Sequence, residues 1–253
     1  MKVTILGSGT STGVPEIGCV CEVCRSADLR DHRLRTSVLV EVQGKRILLD
    51  CGPDFRQQVL PLEFAPIDAV LLSHEHYDHV GGLDDLRPFC RFKDIPVYAD
   101  SYTSGQLRKR MDYCFAERVY PGVPALLLQE VDAARPFCAG GVEVVPVQVM
   151  HGRMPILGYR IGKMAYLTDM LAMPDAEYVK LEGLDCLVMN ALRIKPHPTH
   201  QSLDEALRNA ARIGAKDTYL IHMCHHIGLH AEVEKCLPPH VHLSYNGLSL
   251  ELP

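Results

Sequence analysis

One six-residue stretch limits the possible folds of this chain more than any other, because it places three histidines and an aspartate directly after an apolar segment. The motif H-x-H-x-D-H runs from His74 to His79 and follows the segment 68–73. That segment predicts a short buried strand. Side chains two residues apart on an extended backbone point the same way, so His74 and His76 converge. Four metal-binding side chains at one strand end, Asp78 among them, predict a site with enough ligands for two ions.

Three single residues further along the chain are candidates for the remaining ligands of such a site. His151, Asp169 and His222 each follow a predicted strand. Loops at strand ends are where α/β proteins usually place functional side chains. The zinc-hydrolase pattern H-E-x-x-H is excluded, because Asp78 stands where its second histidine would be. A solvated polar loop is the alternative, and the concentration of histidines after an apolar strand disfavours it.

A second cluster of candidate ligands lies near the N-terminus, where Cys19, Cys21 and Cys24 form the pattern C-x-C-x-x-C. Three thiolates are one short of the four ligands that structural zinc takes. The chain has 10 cysteines. Its length, the lack of a signal-peptide pattern and the ligand-type spacing favour metal binding in a reducing cytoplasm over disulfides. The other seven cysteines are expected to act as small buried apolar residues. Cys51 lies near the histidine motif, so a role for it in the site stays open.

Patterning along the 253 residues indicates an α/β chain with large sheets, organised as a single domain over 1–253. The clearest helix is Leu203–Ile213, which Ser202 and Glu205 open with a capping box and Gly214 ends. A short helix is expected over 54–60 and another from Leu83. Strands are predicted at 3–6, 37–42, 46–50, 68–73, 96–99, 141–149, 157–161, 164–168, 186–189 and 218–221.

Charge and hydropathy argue against two classes of partner, although a local basic patch that binds nucleic acid stays open. No run of about 18 apolar residues is present, so no membrane span is expected. The formal net charge is -5. A protein with this net charge lacks the overall positive potential that binds nucleic acid nonspecifically, so nucleic acid is not an expected partner.

The motif and the single residues that follow it resemble the metallo-β-lactamase fold hydrolases over about 5–250. The resemblance implies a four-layer αββα sandwich with two divalent ions, Zn²⁺ or Mn²⁺, at one edge. It implies that one ion is held by His74, His76 and His151. It implies that the other is held by Asp78, His79 and His222, with Asp169 bridging the two.

The glycine-rich segment 7–15 and the cysteine triad are similar to the PhnP family of phosphoribosyl 1,2-cyclic phosphate phosphodiesterases. The resemblance implies that the triad binds a structural Zn²⁺ and stabilises a small N-terminal loop, 18–25. The fourth ligand implied by the family pattern is His225, with Cys224 and His226 as open alternatives. A homodimer is implied by this resemblance alone.

The function implied is that of a metal-dependent phosphodiesterase acting on a small phosphodiester, with 5-phosphoribosyl 1,2-cyclic phosphate as the leading candidate. A metal-bridging hydroxide would attack phosphorus at a site that includes Asp78. His200 would protonate the leaving alkoxide, and His197 is the nearby alternative. Asp50 is expected to support a ligand histidine by accepting its second N–H. Asn190 stands where some relatives carry an acid.

Three different functions stay open on the sequence alone. A tRNase Z-like RNA endonuclease would share the ligands, but it would need a basic arm. A PqqB-like protein would share the cysteine cluster. A metal-binding scaffold without catalysis would need only the structural cluster.

Overall fold

Two seven-stranded β-sheets lie face to face in the computed structural model, which describes residues 1–115 and 122–253. The first sheet has the strand order β14-β1-β2-β3-β4-β5-β6 and the second the order β13-β12-β11-β10-β9-β8-β7. The strands of the first sheet are β1 (Lys2–Gly7), β2 (Ser37–Val42), β3 (Lys45–Leu49), β4 (Ala69–Leu71), β5 (Ile95–Ala99), β6 (Leu126–Glu130) and the returning β14 (Leu248–Glu251). Those of the second are β7 (Phe137–Ala139), β8 (Val142–His151), β9 (Met154–Ile161), β10 (Met164–Leu167), β11 (Cys186–Asn190), β12 (Asp217–Ile221) and β13 (Val241–Leu243).

Helices cover the outer faces of both sheets. The α-helices are α1 (Phe55–Val59), α2 (Tyr77–Val80), α3 (Ser101–Arg110), α4 (Asp112–Phe115), α5 (Leu203–Ile213) and α6 (His230–Val233). The 3₁₀ helices are Leu29–Asp31, Leu83–Arg91, Asp175–Leu181, His225–Ile227 and Glu234–Cys236. Among the described residues, no helix combines the length and apolarity that a membrane crossing needs.

Alternation of side chains along the strands creates the layers. On β3, Ile47 and Leu49 pack between the sheets, whereas Leu48 packs outward against the helices. On β11, Val188 faces inward and Leu187 faces outward. A side-chain period of two therefore gives each sheet two buried faces, and each fully buried aliphatic side chain contributes about 1.5–3 kcal/mol. The predicted αββα sandwich is confirmed.

Local sequence signals set the ends of α5 as predicted. The Ser202 side chain accepts a hydrogen bond from the backbone N–H of Glu205, and the Glu205 carboxylate accepts one from the Ser202 backbone at 2.7 Å. Gly214 ends the helix in the left-handed conformation, with φ of 69°. The buried face of α5, at Leu203 and Ala206, packs on the second sheet.

Several elements were missed or misjudged from the sequence. Strands β6, β7, β13 and β14 and helix α3 were not predicted; β6 is an edge strand with only Leu126 buried. The segment from Leu83 is a 3₁₀ helix that contains Pro88. The expectation that the seven remaining cysteines are all buried is wrong, because Cys138 and Cys236 are exposed.

Candidate metal centre and active site

The candidate site lies where parallel strands of both sheets end. Asp50 follows β3, Asp169 follows β10 and His222 follows β12, and each strand has a parallel neighbour in its sheet. These three residues have positive φ angles of 56°, 53° and 55°. Positive φ is costly for residues with a side chain, and such strain concentrates at functional sites.

The first ligand set consists of His74, His76, His151 and Asp169, whose ligand atoms all lie within 4.8 Å of one another. His74 Nε2 is 2.9 Å from His76 Nδ1 and 3.7 Å from Asp169 Oδ2. His151 Nδ1 lies 3.1 Å from the carbonyl oxygens of Asp169 and Thr199. Donation from Nδ1–H to these carbonyls leaves the His151 Nε2 lone pair free for an ion.

The second set consists of Asp78, His79, Asp169 and His222, again within 4.8 Å. His79 Nε2 is 3.1 Å from Asp78 Oδ2 and 3.3 Å from Asp169 Oδ1. His222 Nε2 is 3.1 Å from the same oxygen of Asp169. Asp169 therefore turns Oδ1 to this set and Oδ2 to the first, which is the orientation of a bridging carboxylate.

Buried polar atoms show that these residues fit divalent ions. His79 Nε2 is buried and has no hydrogen-bond partner among the described residues. The Nδ1 atom of His79 is 2.7 Å from Asp50 Oδ2. Donation from Nδ1–H to Asp50 fixes the tautomer, so Nε2 presents its lone pair to the centre of the cluster. An ion there would satisfy an atom that otherwise stays unpaired in the interior.

Electrostatics keep two of the candidate ligands, Asp169 and His74, in metal-binding form. Burial opposes ionisation of Asp169, but His222 and His79 outweigh it and hold the pKa of this carboxyl well below its usual range. Burial lowers the pKa of His74 well below its ordinary value, and His79 adds to the shift. An anionic Asp169 and a neutral His74 are the protonation states that ligation requires.

Asp50 supports the site without belonging to either ligand set, as expected from the sequence. Its carboxylate also accepts hydrogen bonds from the Ser73 backbone at 2.8 Å, the Ser73 hydroxyl at 2.9 Å and the Tyr166 hydroxyl at 2.7 Å. The Ser73 hydroxyl lies 2.9 Å from His74 Nδ1. One buried carboxylate thus orients His79 directly and His74 through Ser73.

We expect Asp50→Asn to weaken metal binding or activity by about 10–100-fold, the usual effect of removing a group that orients a ligand histidine. An amide has one acceptor oxygen in place of two, so it cannot serve all of these donors. Calorimetric titration with metal ions measures the change in affinity, and steady-state kinetics measures the change in activity. The matched control is Asp204→Asn, which removes the same charge from an exposed position on α5. Equal affinity in the two variants would contradict the role given to Asp50.

The cysteine cluster forms a separate group with His225. Ligand atoms of Cys19, Cys21, Cys24 and His225 lie within 4.8 Å of one another. Cys24 Sγ is 3.6 Å from His225 Nδ1, and the Cys24 backbone N–H donates to Cys21 Sγ at 3.4 Å. That hydrogen bond lowers the pKa of Cys21, whereas burial raises the pKa of Cys24 to about 11. Three cysteines and one histidine match a closed zinc site, and bound zinc deprotonates its thiols.

The rival fourth ligands lie outside this group. His226 directs Nε2 toward His225 Nε2 at 3.0 Å, and Cys224 is buried. The cluster adjoins the end of β12, because His225 follows His222 by three residues, and Gly9 of the N-terminal segment pairs there with Met223. A side chain at position 9 would place Cβ only 2.6 Å from the Arg33 carbonyl oxygen, which explains the glycine.

His200, rather than His197, borders the ligand sets. Its Nδ1 is 3.8 Å from Asp169 Oδ2 and its ring centroid is 4.6 Å from that of His151. Burial lowers the pKa of His200 to about 3; Asp169 opposes the shift and His222 adds to it. His197 turns Nδ1 to the Thr199 hydroxyl at 3.2 Å.

Sequence reasoning gave no role to Asn190 or Gln201. The Asn190 amide accepts from Met170 N at 2.8 Å and donates to Met170 O at 3.0 Å. Gln201 Nε2 donates to the Asn190 carbonyl at 2.6 Å. These hydrogen bonds fix Met170, which follows Asp169, and Gln201, which follows His200. The supporting roles of Asn190 and Gln201 are visible only in the tertiary structure. Cys51, which the sequence left open as a site residue, is fully buried in the outer apolar core of the first sheet.

Comparison with known proteins identifies the superfamily of the chain first. Residues 45–223 match the family model described as a beta-lactamase superfamily domain, so the chain belongs to that superfamily. A solved structure described as a new diphosphatase from the PhnP family is 42% identical, with a TM-score of 0.91, over 99% of this chain and 97% of that one. Within the superfamily, the chain belongs to the PhnP family. The ligand clusters of this PhnP-family chain have the residue types and spacing that divalent metal ions require.

Two further relatives are informative. A protein of Porphyromonas gingivalis named octanoyltransferase is 50% identical over 250 residues, which are 98% of this chain but 51% of that protein. The chain thus spans about half the length of this relative. Zinc-bound PqqB from Methylobacterium extorquens has a TM-score of 0.81 over the full length of both chains at 22% identity, which shows a common fold.

Proposed function

We propose that this protein hydrolyses small phosphodiesters, with 5-phosphoribosyl 1,2-cyclic phosphate as the leading candidate substrate. The observation that carries the proposal is the shared carboxylate of Asp169, which faces both ligand sets and lies beside His200. A pair of ligand sets joined by one carboxylate suits two Zn²⁺ or Mn²⁺ ions. When bound, such ions polarise phosphoryl oxygens and generate a nucleophile from water at neutral pH.

The chain's own residues have three tasks in this proposal. Asp78 and Asp169 contribute negative charge that assembles both ligand sets, and Asp78 also lies 3.4 Å from His222 Nε2. Asp50 holds the ligand histidines in one tautomer. His200 borders the site and donates a proton to the leaving alkoxide once the substrate is in place.

Phosphoryl chemistry is supported by the PhnP-family relative, whose described activity is that of a diphosphatase. A diphosphate and a phosphodiester both react at phosphorus with loss of an oxygen leaving group. Hydrolysis of a diphosphate ester is therefore the second candidate function. The name octanoyltransferase is not carried over, because the match covers only 51% of that relative.

An RNA endonuclease, a PqqB-like role and a scaffold without catalysis have weaker support. The net charge of -5 does not favour an RNA endonuclease. PqqB shares the fold at 22% identity, which does not extend to its role. A scaffold without catalysis would not need two ligand sets joined by Asp169. The homodimer stays an expectation from the family resemblance.

A substrate panel with metal removal tests the proposal. We expect the metal-loaded protein to hydrolyse bis(p-nitrophenyl) phosphate and ribose 1,2-cyclic phosphates, to lose this activity after chelation, and to regain it with Zn²⁺ or Mn²⁺. Nucleoside 2′,3′-cyclic phosphates and ADP-ribose, a diphosphate, complete the panel. Metal analysis of the same sample gives the ion count. Preference for ADP-ribose would favour the second candidate, and no hydrolysis of any compound by the metal-loaded protein would refute both.

A further inference from the structure

A buried arginine, Arg33, lies next to the cysteine cluster and has no part in the ligand sets of the active site. Its side chain is 0% exposed, although charged side chains are almost never fully buried unless they are paired. In the described part of the chain its one ion-pair partner is Asp31, whose Oδ1 lies 3.3 Å from Nη2. The guanidinium atoms Nε and Nη1 are also buried and have no hydrogen-bond partner there. Arg33 therefore keeps buried N–H donors that the pair with Asp31 does not satisfy.

The backbone around Arg33 places this side chain at the base of the cysteine cluster. Arg33 pairs with Val14 through two backbone hydrogen bonds, of 2.7 and 2.9 Å. Val14 packs in the same small apolar group as Cys24, which is one of the candidate zinc ligands. On the other side, Asp31 Oδ1 accepts a hydrogen bond from the His230 backbone N–H at 2.7 Å. Arg33 thus lies where the N-terminal loop meets the C-terminal segment that supplies the fourth ligand.

The charge of Arg33 acts on sulfur as well as on carboxylates. Burial lowers the pKa of the guanidinium, and Asp31 opposes this shift most strongly, followed by Cys224, Asp28 and Cys24. An arginine keeps its proton in proteins in spite of such a shift. A fixed positive charge therefore lies within electrostatic range of the thiol of Cys24, and little water is present to screen it.

The charge next to Arg33 depends on whether the cluster holds an ion. Cysteines bind zinc as thiolates, and three thiolates outweigh the two positive charges of Zn²⁺. A site of three cysteines and a neutral histidine therefore carries one net negative charge, whereas protonated thiols carry none. Arginine N–H groups interact more strongly with anionic than with neutral acceptors. Arg33 consequently gains a favourable anionic neighbour only in the metal-bound protein.

We propose that Arg33 is the buried countercharge of the zinc site and a positioning residue for it, because its guanidinium stabilises the zinc-bound thiolates and so raises the affinity of the cluster for the ion. This role accounts for a buried cation that the pair with Asp31 alone does not explain, since a buried ion pair by itself is weak evidence for stability. The inference is independent of the proposed diesterase function, because Arg33 belongs to neither ligand set of the active site.

Titration with Co²⁺, followed by competition with Zn²⁺, tests the proposal. The thiolate-to-cobalt absorption reports on the cysteine cluster alone, because the other two ligand sets contain no sulfur. We expect Arg33→Met to bind both ions about 10–100-fold more weakly than the wild type, the range for removing a group that supports a metal ligand. Arg33→Lys retains the charge and should recover most of this loss. The matched control is Arg30→Met, because Arg30 pairs with Asp28 at the same sequence spacing but is 45% exposed, and it should change the affinity by less than about twofold.

A second variant gives an effect of opposite sign and keeps the test decisive if Arg33→Met does not fold. Asp31→Asn retains an acceptor for the His230 N–H but removes a negative charge that repels the anionic site. We expect it to bind Co²⁺ about 3–10-fold more tightly than the wild type, the size of a partly screened charge interaction. If Arg33 only completes an ion pair with Asp31, Arg33→Met should lower the thermal midpoint of the metal-free protein and leave the metal affinity of the folded protein unchanged. That result, or an unchanged or weaker affinity in Asp31→Asn, would overturn the inference.

Discussion

Replacing His200 by alanine is expected to slow the hydrolysis of a sugar cyclic phosphate by about 10²–10⁴-fold, the range for losing a general acid. The metal content should not change, because His200 is outside both ligand sets. Steady-state kinetics with parallel metal analysis measures both quantities. An alanine variant that keeps its ions and its full turnover would contradict the role.

The leaving group makes this prediction specific. A sugar alkoxide is a poor leaving group and needs a proton, whereas p-nitrophenolate leaves without one. The loss in the His200→Ala variant should therefore be large on the sugar substrate and small on bis(p-nitrophenyl) phosphate. A merely structural role would slow both substrates alike. His197→Ala is the matched control, since His197 bonds to Thr199 and does not border Asp169.

The low pKa of His200 determines when this side chain can carry the proton that a general acid donates. Burial lowers this pKa to about 3, so the imidazole is neutral at pH 7 in the free protein. Asp169, at 3.8 Å, already favours the charged form. A bound phosphate brings further negative charge next to the ring and raises its pKa. In the proposed mechanism, His200 therefore takes up its proton together with the substrate.

The ligand residues could be predicted because they follow short-range rules. The motif from His74 to His79 follows a buried strand, and the single ligands follow other strands. Parallel strands bring their carboxyl ends to one edge, so residue type and strand position identified the side chains that the structure brings together. The assignment of the cysteines and of His225 to one site depended on family resemblance as well, because His225 lies 201 positions beyond Cys24 in the chain.

The supporting contacts could not be read from the sequence. Tyr166 donates a hydrogen bond to Asp50 across the two sheets, and the side-chain amides of Asn190 and Gln201 connect two loops through hydrogen bonds. Each of these residues lies in an ordinary strand or loop pattern, and only the packing of both sheets brings it to the site. The edge strands were missed for a related reason. On β6 a single buried residue, Leu126, gives no alternation to recognise.

Replacing Cys21 by serine is expected to remove one equivalent of zinc and to lower the free energy of unfolding by about 2–5 kcal/mol. The magnitude follows from the entropy of closing a long chain loop with a cross-link, here one of 201 residues between Cys24 and His225. At about 2–4 °C per kcal/mol for a chain of this size, the thermal midpoint should fall visibly. Metal analysis and thermal unfolding measure the two effects, and Cys138→Ser, an exposed cysteine outside the cluster, is the control.

The order of the losses distinguishes a structural zinc site from a catalytic one. The apolar cluster at the N-terminal loop is small, and apart from the cysteines it contains Val14, Val23 and Leu229. Without zinc, the backbone hydrogen bonds of Ser8 and Thr10 with Met223 still join the segment before the loop to the strand end that carries His222. Activity should therefore fall less than stability, and only as His222 loses its fixed position. A variant that retains its full metal count and midpoint would show that the cluster holds no zinc, whereas loss of activity at full stability would place the cluster in the reaction itself.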